Sequence, residues 1–505
     1  MSLLSRSLGA AAWGYTGTLC KFILQFSVQS ILARTLGPEA YGVFAAGVVV
    51  VSFAMFFGDV ASSALILRAE IKAEEARFAF TWQLIVSALT TLVIYSVAPT
   101  IASLSVGESA AYSIRVLSLI CIISAFGGVS CAILRRSLSF KKIQIAQVVG
   151  YIVGYVFVGL PYGLFCGANE NALIFAWVTQ ALVTSILYYS FAPHSLRPLI
   201  FCQDGISLIR FGVNSFWANF GTWAINNVDR IVVSHKFSSV ILGYYANSAN
   251  LLASPLSQFF STFQQVAFSA GAKAGSRAEL ARAFSSALAL GSVSIAAFYA
   301  VTFGAAEKIV LIVYGQKWVG VVPVFQIFCI AFTFWGIGSL ITPFLWASGA
   351  VKRDARTQIL MALFLCGASF GAAKHGIDAV AIAVSCVFAT RAILLLRVSV
   401  SIFSLSWRVI LRLLASIGAY FWLTSTAVAW LFKNNLAGLP NVQNAVVVGL
   451  LFVLGIAAPL VLPAFFGPAY RDAVLGMFGV VQRGLVSLKM RRSGNYRAQK
   501  MSDEV

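Results

Sequence analysis

Lys21, Gln25 and Gln29 stand at i, i+4 and i+8 in the run CKFILQFSVQSIL. On a helix they share one face, so an otherwise apolar segment carries a cation and two amides along a single line. A charge at the centre of a bilayer costs roughly 2.5–3.5 kcal/mol on insertion scales, so it has to find an anion or a partner. Lys21 therefore either attracts an anionic ligand or is neutralised in packing, with Asp59 as the available acid. Ser215, Asn219, Thr222, Asn226, Asp229 and Arg230 form a second stripe, within an arc of about 100° on a helix. Asn247, Asn250, Ser254, Ser257, Gln258, Ser261 and Gln265 form a third. Their amides and hydroxyls are neutral donors and acceptors suited to sugar hydroxyls, or alternatively to contacts between helices. Asp229 and Arg230 are about 100° apart on their helix, which disfavours a direct mutual pair. Arg115 and Arg391 lie near span ends, where long side chains reach the interface and anchor a helix.

The elements that hold these stripes are membrane spans. The chain has 505 residues, of which 60% are hydrophobic and 10% charged, with mean hydropathy +0.88. A soluble domain carries about 25% charged residues, so the chain reads as an all-α polytopic membrane protein. About fourteen spans fit: 7–33, 41–67, 78–105, 113–134, 143–167, 170–192, 207–235, 241–269, 282–306, 318–350, 357–373, 377–400, 408–432 and 444–468. With both termini cytoplasmic, 26 of the 36 lysines and arginines fall inside or at the inner ends of spans, 6 outside and 4 elsewhere within spans. That asymmetry is what the positive-inside rule demands. It also accounts for the net charge of +20, which is spread over loops and tail and forms no nucleic-acid stripe. The N-terminal segment reads as a retained helix. The basic tail, 469–505, reads either as an interfacial helix on the anionic inner leaflet or as a solubilising extension.

A weak repeat runs at an offset of 201 residues. ARTLGPEAYGVFAA, from Ala33, matches SHKFSSVILGYYAN, from Ser234; Gly42 falls on Gly243 and Ala45 on Ala246. The repeat predicts two pseudo-symmetric six-helix bundles, 1–200 and 201–400, around a central cavity. Two additional helices follow in 401–468. Pro255 and Pro343 supply bends suited to alternating access.

The stretch LARTLGPEAYGVFAAGVVVVSFAMFFGDVASSALILR resembles the first hairpin of Wzx-type polysaccharide flippases. NNVDRIVVSHKFSSVILGYYANSANLLASPLSQF resembles the second-half counterpart, and Val60 and Ala61 depart from the leucine and glycine common at that helix end. The resemblance implies membership of the multidrug/oligosaccharidyl-lipid/polysaccharide exporter superfamily, in a bacterial inner membrane. It further implies a substrate of oligosaccharide on an undecaprenyl diphosphate carrier, with membrane lipids, a polysaccharide polymerase and a chain-length regulator as partners. On that reading Lys21 and Arg230 are the charges offered to the diphosphate. Gln25, Gln29, Asn219, Thr222, Asn226, Asp229, Asn247, Asn250, Ser254, Gln258, Ser261 and Gln265 then line the cavity. Asp59, Arg115 and Arg391 are the other intramembrane charges. A multidrug or small-solute antiporter, or a peptidoglycan-precursor flippase, is the alternative on the same fold. Bases outnumber acids within the spans, which favours an anionic ligand over a drug cation. No cofactor is expected. The eight cysteines form no CxxC pair and His194, His235 and His375 lie far apart, so no metal site is expected either. No connecting loop exceeds about fifteen residues, which leaves no room for an enzyme's catalytic domain.

Overall fold

The computed structural model describes residues 24–58, 60–65, 71–108, 110–254, 257, 276–434, 441–461, 463–468 and 470–475. Helices dominate and no strand occurs among them, as lipid requires: each spanning segment must satisfy its own backbone hydrogen bonds. In chain order the helices are α1 (24–36), α2 (Pro38–Gly58), α3 (Val60–Leu65), α4 (Ala73–Ser103), α5 (Ala110–Arg136) and α6 (Phe140–Tyr151). α6 continues in π-helical form through Ile152–Gly159 and Tyr162–Cys166. Next come α7 (Asn171–Phe191), α8 (Gly205–Lys236), α9 (239–254), α10 (Arg277–Gly304) and the short α11 (Ala306–Val313). A 3-10 turn, Gln316–Val321, leads into α12 (Val322–Ala347), then α13 (Val351–Ala372), α14 (Ile377–Phe403), α15 (Trp407–Asn434) and α16 (Asn441–Val461).

Eleven helices among the described residues are long and apolar enough to cross a membrane, and each falls on a predicted span. The other three predicted spans are α1, α8 and α9. α8 is 32 residues long and carries the second polar stripe, while α1 and α9 run into residues outside the description. Reporter fusions ending in the links at 135–142 and 307–317 are expected to read opposite sides of the membrane, because five helices separate them. Same-side signals would overturn the helix count.

The chain packs as two compact units. One comprises residues 1–258, 307–331 and 355–387; the other comprises 259–306, 332–354 and 388–505. In the first, Val51, Ile114, Leu117 and Ile174 centre a core between α2, α5 and α7. A second cluster, around Phe78, Ala79, Val129 and Leu208, joins α4, α5 and α8. The link 192–204 is strapped over the start of α4. Arg77 Nε donates to the Arg197 carbonyl at 3.1 Å, and Trp82 Nε1 donates to that of Ile200 at 3.1 Å. In the second unit Phe284, Phe344, Leu395 and Phe403 join α10, α12 and α14, with Phe284 stacked on Phe403 at 4.8 Å. Between lipid-immersed helices it is close packing that holds such cores, since lipid tails are as apolar as leucine.

The repeat seen in the sequence extends through the helices. Moved by 201 residues, the start of α2 at Pro38 falls on the start of α9 at 239, and the end of α4 at Ser103 falls on the end of α10 at Gly304. The symmetry breaks at the next link. Residues 104–109 join α4 to α5, whereas the longer stretch 305–321, with α11 and the 3-10 turn, joins α10 to α12.

Candidate functional site

Within the first unit a cavity of about 370 Å³ is lined by residues from six helices. α1 supplies Gln25 and Gln29, at the i, i+4 spacing that puts both amides on one face. α9 supplies Asn247, Asn250 and Ser254, again along one face. Tyr151 and Tyr155 come from α6 and its continuation, and Trp177 and Gln180 from α7. Tyr314 follows α11, and Phe26, Phe44, Leu251 and Val313 complete the wall. Eight of the lining residues are aromatic or aliphatic and six are neutral polar, with no acidic or basic side chain among the described residues.

Two of the helices in this wall, α2 and α9, begin at the repeated hairpins, and the hairpins meet each other directly. α2 and α9 cross where Gly42 meets Ser239 and Gly243 meets Pro38. A Cβ on Gly42 would stand 1.7 Å from the Ser239 carbonyl oxygen, and one on Gly243 would stand 1.9 Å from that of Pro38. Each contact is the other moved by 201 residues, so the crossing is its own image under a pseudo-two-fold axis. The helix ends reciprocate too. Arg34, at the end of α1, donates to the Ile312 carbonyl beyond α10, and His235, at the end of α8, contacts the Leu104 carbonyl beyond α4 at 2.7 Å.

The inserted link 305–321 lies on this crossing. Trp318 is fully buried, donates Nε1 to the Ala33 carbonyl at 2.9 Å and meets Tyr41 edge-on at 5.5 Å. Lys317 Nζ donates to the Thr35 carbonyl at 3.0 Å, and Tyr314 OH to that of Asn247 at 3.3 Å. Gly37 and Gly315 take left-handed conformations there, φ +83° and +85°, which only glycine adopts without strain.

Of the residues singled out from sequence, Gln25, Gln29, Asn247, Asn250 and Ser254 come together in the cavity wall. Arg230 reaches its edge, donating to Asn250 Oδ1 at 2.8 Å. Asp229 turns away. It is 7% exposed and accepts from Tyr245 OH at 2.7 Å, so the two neighbours take separate partners as their angular spacing predicts. Thr222 and Asn226 are exposed on α8; Thr222 donates to Gln358 Oε1 at 3.3 Å, and Asn226 donates to the Thr222 carbonyl at 2.7 Å. Arg115 anchors on α4, donating to the Tyr95 carbonyl at 3.4 Å with its guanidinium 5.2 Å from that ring. Arg391 is buried and paired with Asp354 at 3.6 Å, held in the protein and not at the interface. Lys21, Asp59, Pro255, Gln258, Ser261, Gln265, the side chains of Ser215 and Asn219, and the tail 476–505 lie outside the described residues.

Sequence reasoning missed the contribution of α6 and α7. Gln180 is an amide inside the apolar run ALIFAWVTQALVTSIL, the same signal that drew notice to Gln25 and Gln29. Tyr151 and Tyr155 carry no polar neighbours in sequence and gave none.

The profile of the polysaccharide biosynthesis protein family matches residues 31–323. The succinoglycan biosynthesis transport protein ExoT of Rhizobium meliloti (strain 1021) is 24% identical over 327 residues, which is 64% of this chain and 64% of that protein, just under two thirds of its length. The lipopolysaccharide biosynthesis protein WzxC of Escherichia coli (strain K12) is 21% identical over 71% of this chain and 73% of its own. The solved structure of lipid II flippase MurJ in an inward closed conformation superposes with a TM-score of 0.68 at 14% identity, covering 88% of this chain and 98% of that one, a likeness of fold. All-helical, spanning the membrane many times and matched to the profile over more than half its length, this chain belongs to the polysaccharide biosynthesis protein family.

Proposed function

We propose that the chain is a flippase for lipid-linked oligosaccharide. It carries repeat units on undecaprenyl diphosphate from the inner to the outer leaflet of the bacterial inner membrane, for exopolysaccharide, capsule or lipopolysaccharide. The observation that carries the reading is the cavity itself: neutral amides beside aromatic rings, in a wall that includes residues of α2 and α9, the helices that begin at the two repeated hairpins. Amides exchange hydrogen bonds with sugar hydroxyls and water at little net cost, which a moving glycan needs. The names of the relatives, one a succinoglycan transport protein and one a lipopolysaccharide biosynthesis protein, point the same way.

The two halves, 1–200 and 201–400, alternate access by parting and closing the Gly42–Gly243 crossing, which the predicted topology puts on the outer side. Residues 401–468 add two helices, and the basic tail 469–505 stays in the cytoplasm. Lys21 continues the Gln25–Gln29 face one turn further in sequence and meets the diphosphate as a point charge, with Arg230 as the second cation. Partners are a polymerase and a chain-length regulator that use the flipped product, and the chain itself performs no catalysis. In a strain lacking its own transporter, the wild-type chain restores surface polysaccharide, and Lys21→Ala abolishes it while protein level and membrane insertion hold. Wild-type polymer from Lys21→Ala would remove Lys21 from the mechanism.

A further inference from the structure

One side of the cavity sets aromatic rings beside a neutral amide. α6 lies flush on α7 because Gly154 has no side chain: a Cβ there would stand 2.3 Å from the Ala176 carbonyl oxygen and 2.8 Å from Gln180 N. The π-helical continuation of α6 then carries Tyr155, stacked on Tyr151 with centroids 4.6 Å apart and planes 11° off parallel. Wider helical turns of this kind occur frequently at functional sites. Across from them α7 presents Trp177 and Gln180, one turn apart, with Trp177 fixed edge-on by Phe44 at 5.8 Å. The side-chain amides of Gln25, Gln29 and Gln180 have no hydrogen-bond partner among the described residues, although all three border the cavity. An amide on such a wall can exchange a hydrogen bond to water for one to a ligand at little net cost, which suits a ligand rich in hydroxyls.

We infer that Tyr155, Trp177 and Gln180 form a pyranose subsite that holds a neutral sugar of the repeat unit and sets which sugar is accepted. The inference rests on the glycan reading above and gives it a place. The C–H face of a pyranose covers an aromatic ring, while amides bond its equatorial hydroxyls in a fixed pattern that an epimer breaks. A diphosphate does not belong here, because no described lining residue carries a charge to offset it in a low-dielectric setting. At about 370 Å³ the cavity is at the small end for ligand sites and takes one or two sugar rings, leaving the rest of the repeat unit outside the subsite.

The test uses the purified full-length chain in nanodiscs, titrated with methyl hexopyranosides, methyl glucuronide and inorganic pyrophosphate, and read by saturation-transfer NMR. One neutral pyranoside is expected to saturate and to be discriminated from its epimers, with neither the glucuronide nor pyrophosphate competing. Gln180→Ala weakens that sugar about tenfold, Tyr155→Ala and Trp177→Ala weaken every pyranoside, and Gln180→Asn restores part of the epimer discrimination. Thermal melting of each variant separates lost binding from lost folding. Saturation that survives Tyr155→Ala, Trp177→Ala and Gln180→Ala alike, saturation by pyrophosphate at the same place, or no saturation by any pyranoside overturns the subsite. Failure of the glycan reading looks different: the wild-type chain then restores no surface polymer in the transporter-deficient strain, whatever the titrations show.

Discussion

Gly42→Ala and Gly243→Ala are each expected to cut surface polysaccharide by more than tenfold while membrane insertion stays intact. The added methyl group would lie 1.7 Å from the Ser239 carbonyl oxygen in one case and 1.9 Å from that of Pro38 in the other. Both obstacles are backbone, so no side chain can swing aside and the helices must part. Overpacking a well-filled contact costs about 1–3 kcal/mol, and an obstacle that cannot repack puts these variants at the upper end. The cost falls on the state with the hairpins crossed and spares a state with them apart, so the cycle stalls. Because the two glycines meet the same pair of helix starts, the double variant is expected to lose less than the sum of the singles. The helical glycines Gly367, Gly371, Gly418 and Gly449 have nothing within 4 Å of a built Cβ, and alanine there is expected to leave output unchanged. Polymer yield against immunoblotted protein level is the measurement. Wild-type yield from Gly42→Ala would show that the crossing opens without cost and is not part of the cycle.

Of the crossing, the sequence shows the matched glycines but not their contact. Gly42 and Gly243 stand out as a matched pair in a chain where few other positions match at that offset, because a backbone contact constrains residue type more tightly than lipid exposure does. The helix layout was legible for a related reason: hydrophobic length and the placement of lysine and arginine are both set by the bilayer. Gln25, Gln29, Asn247, Asn250 and Ser254 were legible because an amide or hydroxyl in an apolar face is conspicuous. The stripe on α8 spreads over several partners: in a 32-residue helix a polar arc serves several neighbours along its length, and Thr222 bonds Gln358 while Asn226 bonds its own helix. The link at 307–317 reads as an ordinary loop and Trp318 as the start of a span, since nothing local says that Trp318 folds back into the turn after α1. Asp354 was hidden by its company: in the run VKRDAR it looks like one charge among several in water, and only the packing of α12 against α14 shows it to be 1% exposed.

That residue carries the second large effect. Asp354→Asn or Arg391→Met alone is expected to destabilise the chain by about 3–5 kcal/mol, the usual cost of leaving one half of a buried ion pair uncompensated. The guanidinium of Arg391 approaches Asp354 Oδ1 at 3.6 Å, and Trp346 Nε1 donates to Oδ2 at 3.0 Å, which joins α12, α13 and α14 at one point. Room for the guanidinium comes from Gly338, where a Cβ would stand 3.3 Å from Arg391 Nη1. Gly338→Val is therefore expected to act in the same direction as the charge variants. Replacing both charges together, as Asp354→Leu with Arg391→Met, removes the desolvated charges along with their attraction and is expected to recover much of the loss. Thermal melting in detergent and membrane protein level give the comparison. A double variant as unstable as the sum of the singles would mean that the pair acts through its hydrogen bonds and shape. A double variant that is stable but exports no polysaccharide would mean that the charges serve the transport cycle as well as the fold.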